Sequence, residues 1–592
     1  MKKIFKHFQY LIQTSNHVIK EFGLLYFLNF GFLQLREQNL DLFRPRKESE
    51  FSTIPTNPKK LDYDLWKNEH DIKIEVKSNS LQKSQNPKIN ILMFYDELVL
   101  DTSESIKSIL NQSYQNFHLK IFSKIPITLD NLESNSKIQI IISETSEFKK
   151  IISDLDSDFI FILNNSVILQ KNALSNFTQY LLDDTSSDLI YSDEERIDHT
   201  LKIQPFLKPD WSKYLFLTTN YIGSCFIVRN SLLQKIEIDN KSFEIDFYEL
   251  LLQISGLSEN FKHIPLILFS KIISKKQQFL PLFQKSLQNY FDKKCISSKV
   301  NIINNTLKLF FNLTNTPKIS IIIPTKDNVK MLSRCLRSIE YNTNYENYEI
   351  IIINNNSILD ETLSYLDSLP YTVIDYNEKF NFSKLNNLAA SKTNGDYILF
   401  LNDDVEALES EWLLEMISLC EQSDVGIVGP KLLHTDNTIQ HAGMVHLKNG
   451  FYFHPFQNFP SNTKTNFGIV NSLRERSAVT GACMLIKRSL FEKIGGFDER
   501  FDVYYGDSDL CLNAQKFGFK VIYTPYAILK HDGSSKIRTI SKIYIPVENH
   551  HDFIKKWPSL MKGDPYYNSN FLYNYNLDTT SISKSNLTTK QQ

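Results

Sequence analysis

The densest group of chemically capable side chains is the run Asn402, Asp403, Asp404, which closes the apolar stretch Tyr397–Leu401 in "GDYILFLNDDVEALESEWL". Two adjacent carboxylates at the mouth of a buried strand repel each other, and a divalent cation set between them and an anionic ligand removes that repulsion. Magnesium or manganese suits the case, because such ions commonly share their shell among one or two carboxylates, waters and substrate phosphates. A helix N-cap is the plainer alternative, but a cap uses one carboxylate and leaves the second unexplained. A calcium loop fails, because the run "NDDVEALESEWL" has no glycine at its sixth position and no glutamate at its twelfth.

A second group is "GGFDERFDVYYGDSDLCLNAQKFGF", where Asp507 and Asp509 open an amphipathic helix anchored by Leu510 and Leu512. A first-turn role in the helix field explains Asp509 without any chemistry. Asp507 follows the aromatic pair Tyr504 and Tyr505 and is better placed to face a cleft, where a carboxylate could take a proton from an attacking hydroxyl. Further on, "YTPYAILKHDGSS" ends a strand with His531. That histidine is either a packed structural residue or a third metal ligand. Arg474 and Arg476 in "SLRERSAVTGACM" could meet a diphosphate or an anionic acceptor, or form a solvated face; His441 in "QHAG" could line an acceptor cleft or pack in the core.

The elements that carry these residues are read from an internal duplication. "PKINILMFYDELVLDTSESIKSILNQSYQNFHLKIF" parallels "PKISIIIPTKDNVKMLSRCLRSIEYNTNYENYEIII"; "SDFIFILNNSVILQKNALSNFTQYL" parallels "GDYILFLNDDVEALESEWLLEMISL"; "GSCFIVRNSLLQKI" parallels "GACMLIKRSLFEKI". The order of the three matches implies two related α/β domains, 87–275 and 317–560, flanked by an N-terminal helical and linker region 1–75, a connector 276–316 and a C-terminal tail 561–592. Apolar strands alternating with amphipathic helices imply a mainly parallel sheet covered on both faces. Ligands of such sheets bind outside the carboxyl ends of the strands, where "PTKDN", "NNNS" and "NDD" all fall.

The blocks "IIPTKDN", "FNFSKLNNLAAS", "FLNDDVE", "QHAGMV", "SAVTGACMLI", "YYGDSDLCL" and "HDGSS" resemble, in order, those of glycosyltransferase family 2, whose fold is GT-A. The first half resembles the two-domain enzymes of bacterial O-antigen and capsule assembly through "YSDEERID", "FLKPDWS" and "NYIGS". The resemblance implies two tandem GT-A domains, with Asp404 the principal metal ligand, His531 completing the metal or diphosphate site, and Asp507 the general base. It places Pro324, Thr325, Asp327, Asn354, Asn356, Asn381, Asn386 and Asp403 in the donor site. Asn354 stands where the family often has Asp, and its amide can still accept a hydrogen bond from a nucleobase. The implied reaction moves a sugar from a nucleotide-sugar donor to a hydroxyl of a glycan or lipid-linked glycan, with inversion and with Mg2+ or Mn2+. A protein or small-acceptor glycosyltransferase would use the same residues, and a silent glycan-binding scaffold would have no reason to keep Asp404 and Asp507 together. A nucleotidyltransferase should show a Gly-rich basic loop after the first strand, which "PTKDNVKM" does not supply.

The duplication also provides an internal control. Asn164, Asn165 and Ser166 stand opposite Asn402, Asp403 and Asp404; Phe247 stands opposite Asp507; Ser270 or Lys271 stands opposite His531. The first domain is therefore expected to be degenerate. Asp193, Glu194 and Asp198 of "YSDEERID" remain as a polar group for acceptor binding or for structure.

Composition narrows the partners. Lys plus Arg, 66, nearly cancel Asp plus Glu, 67, leaving a formal charge of -1 and no global bias toward nucleic acid. Six cysteines without C-x-x-C spacing support neither a zinc site nor a disulfide framework, which fits a reducing cytosol. The uncharged run Phe22–Leu35 is 14 residues long, short of the roughly 20 needed to cross a bilayer. It is read as a helix packed on the protein body or, with Lys2, Lys3, Lys6 and Lys20, as an interfacial helix on the inner face of the plasma membrane.

Overall fold

The computed structural model describes residues 87–568 and Asn570, apart from 96–101, 124, 128–135, 143–151, 198–202, 237–246, 274–278, 305, 464–469, 534–546 and 569. The N-terminal region 1–75, the candidate membrane helix, Asp198 and the polar stretch from Asp578 onward lie outside the described residues.

The strands of the first half are β1 (Ile89–Phe94), β2 (Phe117–Ser123), β3 (Ile138–Ile142), β4 (Phe159–Asn164), β5 (Val167–Leu169), β6 (Leu189–Ile197), β7 (Ile203–Phe206), β8 (Cys225–Arg229) and β9 (Phe261–Ile272). A hairpin, β10 (Ser298–Ile303) and β11 (Thr306–Phe311), follows. The second half contains β12 (Ile319–Thr325), β13 (Tyr348–Asn354), β14 (Thr372–Asp375), β15 (Tyr397–Leu401), β16 (Val405–Ala407), β17 (Val425–Leu433), β18 (Ile439–His441), β19 (Val445–His446), β20 (Tyr452–Phe453), β21 (Arg474–Glu475), β22 (Cys483–Lys487) and β23 (Lys520–His531).

The duplication reappears as topology. The first sheet runs β3-β2-β1-β4-β8-β6-β9-β5 and the second runs β14-β13-β12-β15-β22-β17-β23-β16. Each strand of these two paths has its counterpart at the same place, β7 and β18 each add to the strand at the same station, β6 and β17, and the second sheet alone adds β21 beside β23. In both sheets the first four strands of the path are parallel. The remainder is mixed, because β8 and β22 are inserted antiparallel between their neighbours. The parallel half follows from runs such as Ile319–Ile323, buried on both faces, with helices between them. One such helix, Val329–Tyr341, turns Leu332, Cys335, Leu336 and Ile339 inward, at the spacing of a single helical stripe.

The domains are packed together. A single apolar cluster includes Tyr214 and Leu217 of the first domain, Leu309 and Phe311 of the hairpin, and Leu473 and Tyr523 of the second. At its edge the carboxylate of Glu475 accepts hydrogen bonds from the Ser212 hydroxyl and from the Tyr214 backbone N–H. Lys308 of the hairpin reaches the buried Glu415 at 3.6 Å. The segment Gly563–Asn568, within the stretch read from sequence as a tail, joins both domains. The Asp564 carboxylate accepts from His446 N–H at 2.9 Å, and the Asn568 amide donates to Asp193 at 2.9 and 3.1 Å.

The polar residues of "YSDEERID" serve this packing. Asp193 receives the His263 ring and the Lys208 N–H, at 2.9 and 2.6 Å, and Glu194 is flanked by Lys208 and Arg196, at 2.9 and 2.8 Å. Burial alone would raise the Glu194 carboxyl, but Lys208, Arg196 and Lys271 together hold it down at about 2. Asp193, Glu194 and Lys208 are all buried, so they build an internal ion network and are not an open pocket.

Candidate active site

The carboxyl ends of β12, β13 and β15 lie side by side, which brings the three polar loops together. The Thr325 hydroxyl donates to Asp403 at 2.7 Å, and the Asn328 amide approaches the same oxygen at 3.4 Å. Burial, reinforced by the neighbouring Asp404 charge, pushes the Asp403 carboxyl up to about 7 despite the help from Thr325. Burial thus weighs on Asp403 more than the repulsion between the two acids does.

Asp327 occupies the left-handed region at φ 48 and its carboxylate accepts from the N–H groups of Ile358 and Leu359, at 2.9 and 3.0 Å. This ties the first strand-end loop to the second. Asn354 donates its amide to Asp375 at 2.9 Å and accepts from Ser357 N–H at 3.1 Å; Asn356 is exposed, in the left-handed region at φ 56. Asp375, at the end of β14, was not singled out in the sequence, yet it gives Asn354 the carboxylate neighbour that the amide itself lacks. Pro324 is half-buried beside Thr325 at the end of β12.

Asn381 and Asn386 sit on the helix Phe382–Ser391. Asn381 caps it, accepting from Lys384 N–H, and its amide donates to Glu499 O, both at 2.9 Å. Asn386 is buried and donates to Phe382 O one turn back, at 2.9 Å. Both amide groups therefore hold protein backbone, while Phe382 itself faces the Gly481 backbone. A β-carbon added at Gly481 would lie 3.0 Å from the Phe382 ring, so glycine is what allows this close approach.

Asp404 and His531 meet directly. β16 pairs antiparallel with the end of β23, setting Val405 opposite His531, and the Asp404 carboxylate lies 3.0 Å from His531 Nε2. The other carboxylate oxygen accepts from Gly533 N–H at 3.0 Å. On its far side the His531 ring meets Gln440 through Nδ1, which fixes the ring so that Nε2 faces Asp404. Gln440 was missed in the sequence; its only signal was its place in "QHAG". The 3.0 Å spacing of carboxylate and imidazole matches the bite, about 3 Å, of two neighbouring ligands each about 2.1 Å from one octahedral ion. Among the described residues no group of three or more His, Cys, Asp or Glu side chains is placed to hold a metal by itself. The donor set suits a cation that takes the rest of its shell from substrate phosphate and water.

Asp507 reaches the same edge by a third route. It lies in the first turn of the helix Gly506–Lys516, half-buried, with its carboxylate accepting from Gly481 N–H at 3.0 Å and from Ser508 N–H at 2.8 Å. One residue on, Ala482 O accepts from Asn402 N–H at 3.0 Å. The candidate base and the acids after β15 thus hang on adjoining backbone. Asp509 instead turns into the protein, onto Lys556 and Trp557.

The solvated-face reading of Arg474 and Arg476 does not hold: both are buried, since β21 pairs with β23 in the sheet. The Arg476 stem lies against Gly443, at φ 85, where a β-carbon would come within 2.4 Å of it, and its Nε donates to Ala442 O at 3.1 Å. His441 is also buried, 2.9 Å from His454, and burial pushes its pKa well down, keeping it neutral.

The family model "Glycosyl transferase family 2" matches residues 320–495. This segment is a family 2 glycosyltransferase domain. The chain is 31% identical over 430 residues to "O-antigen biosynthesis protein RfbC" of Myxococcus xanthus, covering 69% of this chain and 33% of that protein. It is 27% identical over 504 residues to "Uncharacterized protein y4gI" of Sinorhizobium fredii, covering 79% of this chain and 55% of that one. The chain thus spans a third to about half the length of these two relatives. Among solved structures, "Crystal structure of GalNAc-T7 with UDP, GalNAc and Mn2+" aligns with a TM-score of 0.32 at 14% identity, covering 46% of this chain and 56% of that one.

Proposed function

We propose that the chain transfers a sugar, with inversion, from a nucleotide-sugar donor to a hydroxyl of a growing cell-surface glycan, and that residues 317–560 carry the reaction. What supports this reading is that Asp404 meets His531 at 3.0 Å, while Asp507 accepts from Gly481 N–H next to Ala482, whose carbonyl accepts from Asn402 N–H, all within and just after the family 2 segment. The relative named for O-antigen biosynthesis supports the choice of a surface glycan.

In this mechanism the loops after β12 and β13, with Thr325, Asp327 and Asn354, hold the nucleotide. Asp404 and His531 would hold a divalent cation, which when bound neutralises the charge developing on the departing diphosphate. Asp507 takes the proton from the acceptor hydroxyl as it attacks the anomeric carbon from the opposite side. The N–H groups of Gly481 and Ser508 hold that carboxylate in place. The first domain, 87–275, supplies structure or acceptor contact and does no chemistry of its own. Transfer takes place in the cytoplasm, at the inner face of the membrane when the acceptor is lipid-linked.

A panel of nucleotide sugars assayed for transfer and hydrolysis, with and without manganese, identifies the donor. Asp507→Asn is expected to lower transfer about 100-fold or more. Wild-type turnover in that variant would remove Asp507 from the mechanism, and a product with retained anomeric configuration would remove the inversion.

A further inference from the structure

We infer that the C-terminal helix Val547–Lys556 and the following Trp557, beyond the family 2 segment, set the position of Asp507, with Tyr505, His550 and Lys556 as positioning residues. The inference rests on the reading of Asp507 as the base.

Asp507 sits at the middle of a turn that is gripped on both sides. Two residues before it, Tyr505 adopts φ 69, a left-handed conformation that a bulky residue takes only when its surroundings compel it. Its buried ring supplies the compulsion. The Tyr505 hydroxyl lies 2.6 Å from His550 Nδ1, and the ring stacks on Phe553 with centroids 4.3 Å apart and 19° between planes. Burial keeps the phenol protonated and pushes the imidazole down to about 4, so tyrosine donates and a neutral histidine accepts.

Two residues after it, Asp509 closes the turn by donating its N–H to Tyr505 O at 2.7 Å. Its buried carboxylate takes the Lys556 ammonium and the Trp557 indole N–H, each at 2.8 Å. Lys556 is half-buried and also meets Asp498 at 3.0 Å, so the ammonium ties Asp509 and the Asp498 loop to the helix and fixes one arrangement. Both neighbours of Asp507 at this spacing are therefore anchored to one helix, while Asp507 spends its own oxygens on Gly481 and Ser508. A slip of that helix turns the carboxylate away from Gly481 N–H. Without this donor the carboxylate is no longer held in the orientation in which it would meet the acceptor hydroxyl.

The test uses the full chain and the donor found by the nucleotide-sugar panel. Tyr505→Phe and Lys556→Met should each lower kcat about tenfold or more and leave the donor KM within about twofold, the split expected when a proton acceptor is misaligned; Lys556→Arg should restore most of the rate. In an Asp507→Asn background, Lys556→Met should have no further effect on kcat. The inference is overturned if kcat stays at the wild-type value, if the donor KM shifts as much as kcat, or if the loss persists undiminished without the Asp507 carboxylate. Wild-type turnover in Asp507→Asn alone would instead sink the assignment of the base. Should Lys556→Met not fold, Tyr505→Phe decides by the same readings.

Discussion

After β15, Asp404 O accepts from Asp532 N–H at 3.0 Å; after β4, Ser166 O accepts from Ile272 N–H at the same distance. The pairing of β5 with β9 sets Val167 opposite Lys271, just as the pairing of β16 with β23 sets Val405 opposite His531. This register decides between Ser270 and Lys271 as the counterpart of His531 in favour of the lysine. The backbones of the two edges agree while their side chains differ in kind: carboxylate and imidazole in one domain, hydroxyl and ammonium in the other. Where the second domain has a pair suited to gathering a cation, the first places a lysine near the buried Glu194, and burial pulls the pKa of that lysine below its ordinary value. The scaffold evidently does not need the chemistry in order to stand.

The sharpest way to break this comparison is to alter the two edges in parallel. Asp404→Ala is expected to remove cation-dependent donor binding and to lower transfer at least about 100-fold, the scale of losing one preorganised charge-stabilising group. Ser166→Ala should leave both within about twofold. Calorimetry with each nucleotide in manganese, together with initial rates, reads the contrast; equal effects at the two sites would end it.

The next largest effect belongs to the first domain. Lys208→Met removes the fully buried partner of Glu194 and should destabilise the protein by about 3 kcal/mol, the low end of the range for breaking a buried pair, because Arg196 still meets the carboxylate at 2.8 Å. Denaturant unfolding gives the shift, and a midpoint unchanged from wild type would refute the structural role of the network.

Histidines set the two domains apart with pH. In the first domain burial works against His263, but Asp193 and Asp210 overcome it and raise its pKa to about 9. The stability it contributes is fully present below its unfolded value of about 6.5 and is lost as the pH rises through 9. In the second domain burial lowers His446 to about 4, so the unfolded chain binds the extra proton between pH 6.5 and 4 and stability falls as the pH falls through that window. Thermal unfolding across pH should therefore show His446→Gln losing less than wild type on acidification. His263→Gln should close its gap to wild type on the alkaline side. Parallel curves for either variant would contradict the assigned direction.

The smallest effect is expected at the rim between the domains. Lys520 meets Asp424 and Glu259, both at 2.9 Å, with part of each side chain in water. Lys520→Ala should change stability by no more than about 1 kcal/mol, and by less in high salt. A larger loss would mean that this contact holds the domains together more than the apolar cluster does.

Much of this was legible in the sequence. The duplication survives as three matched segments because strand and helix periodicities constrain residue type at every step, and these segments carry the shared strand order. Asp404, Asp507 and His531 could be picked out one at a time from type and strand-end position. Their supports could not. Gln440 lies 91 positions from His531, and His550 lies 45 from Tyr505, with no motif linking either pair. Arg474 and Arg476 read as loop charges because a two-residue strand such as β21 leaves no periodicity to detect. Asp564 and Asn568 fall in a polar stretch whose burial comes from packing between two bodies, which local composition does not encode.

The bond from Asn568 to Asp193 spans 375 positions of chain. During synthesis the first sheet therefore emerges with Lys208 N–H and the His263 ring already available to one oxygen of that aspartate, while the Asn568 donor to the other follows only after hundreds of further residues have been made. The contact is therefore a long-range closure of the first sheet, one that can form only after the second domain has been made.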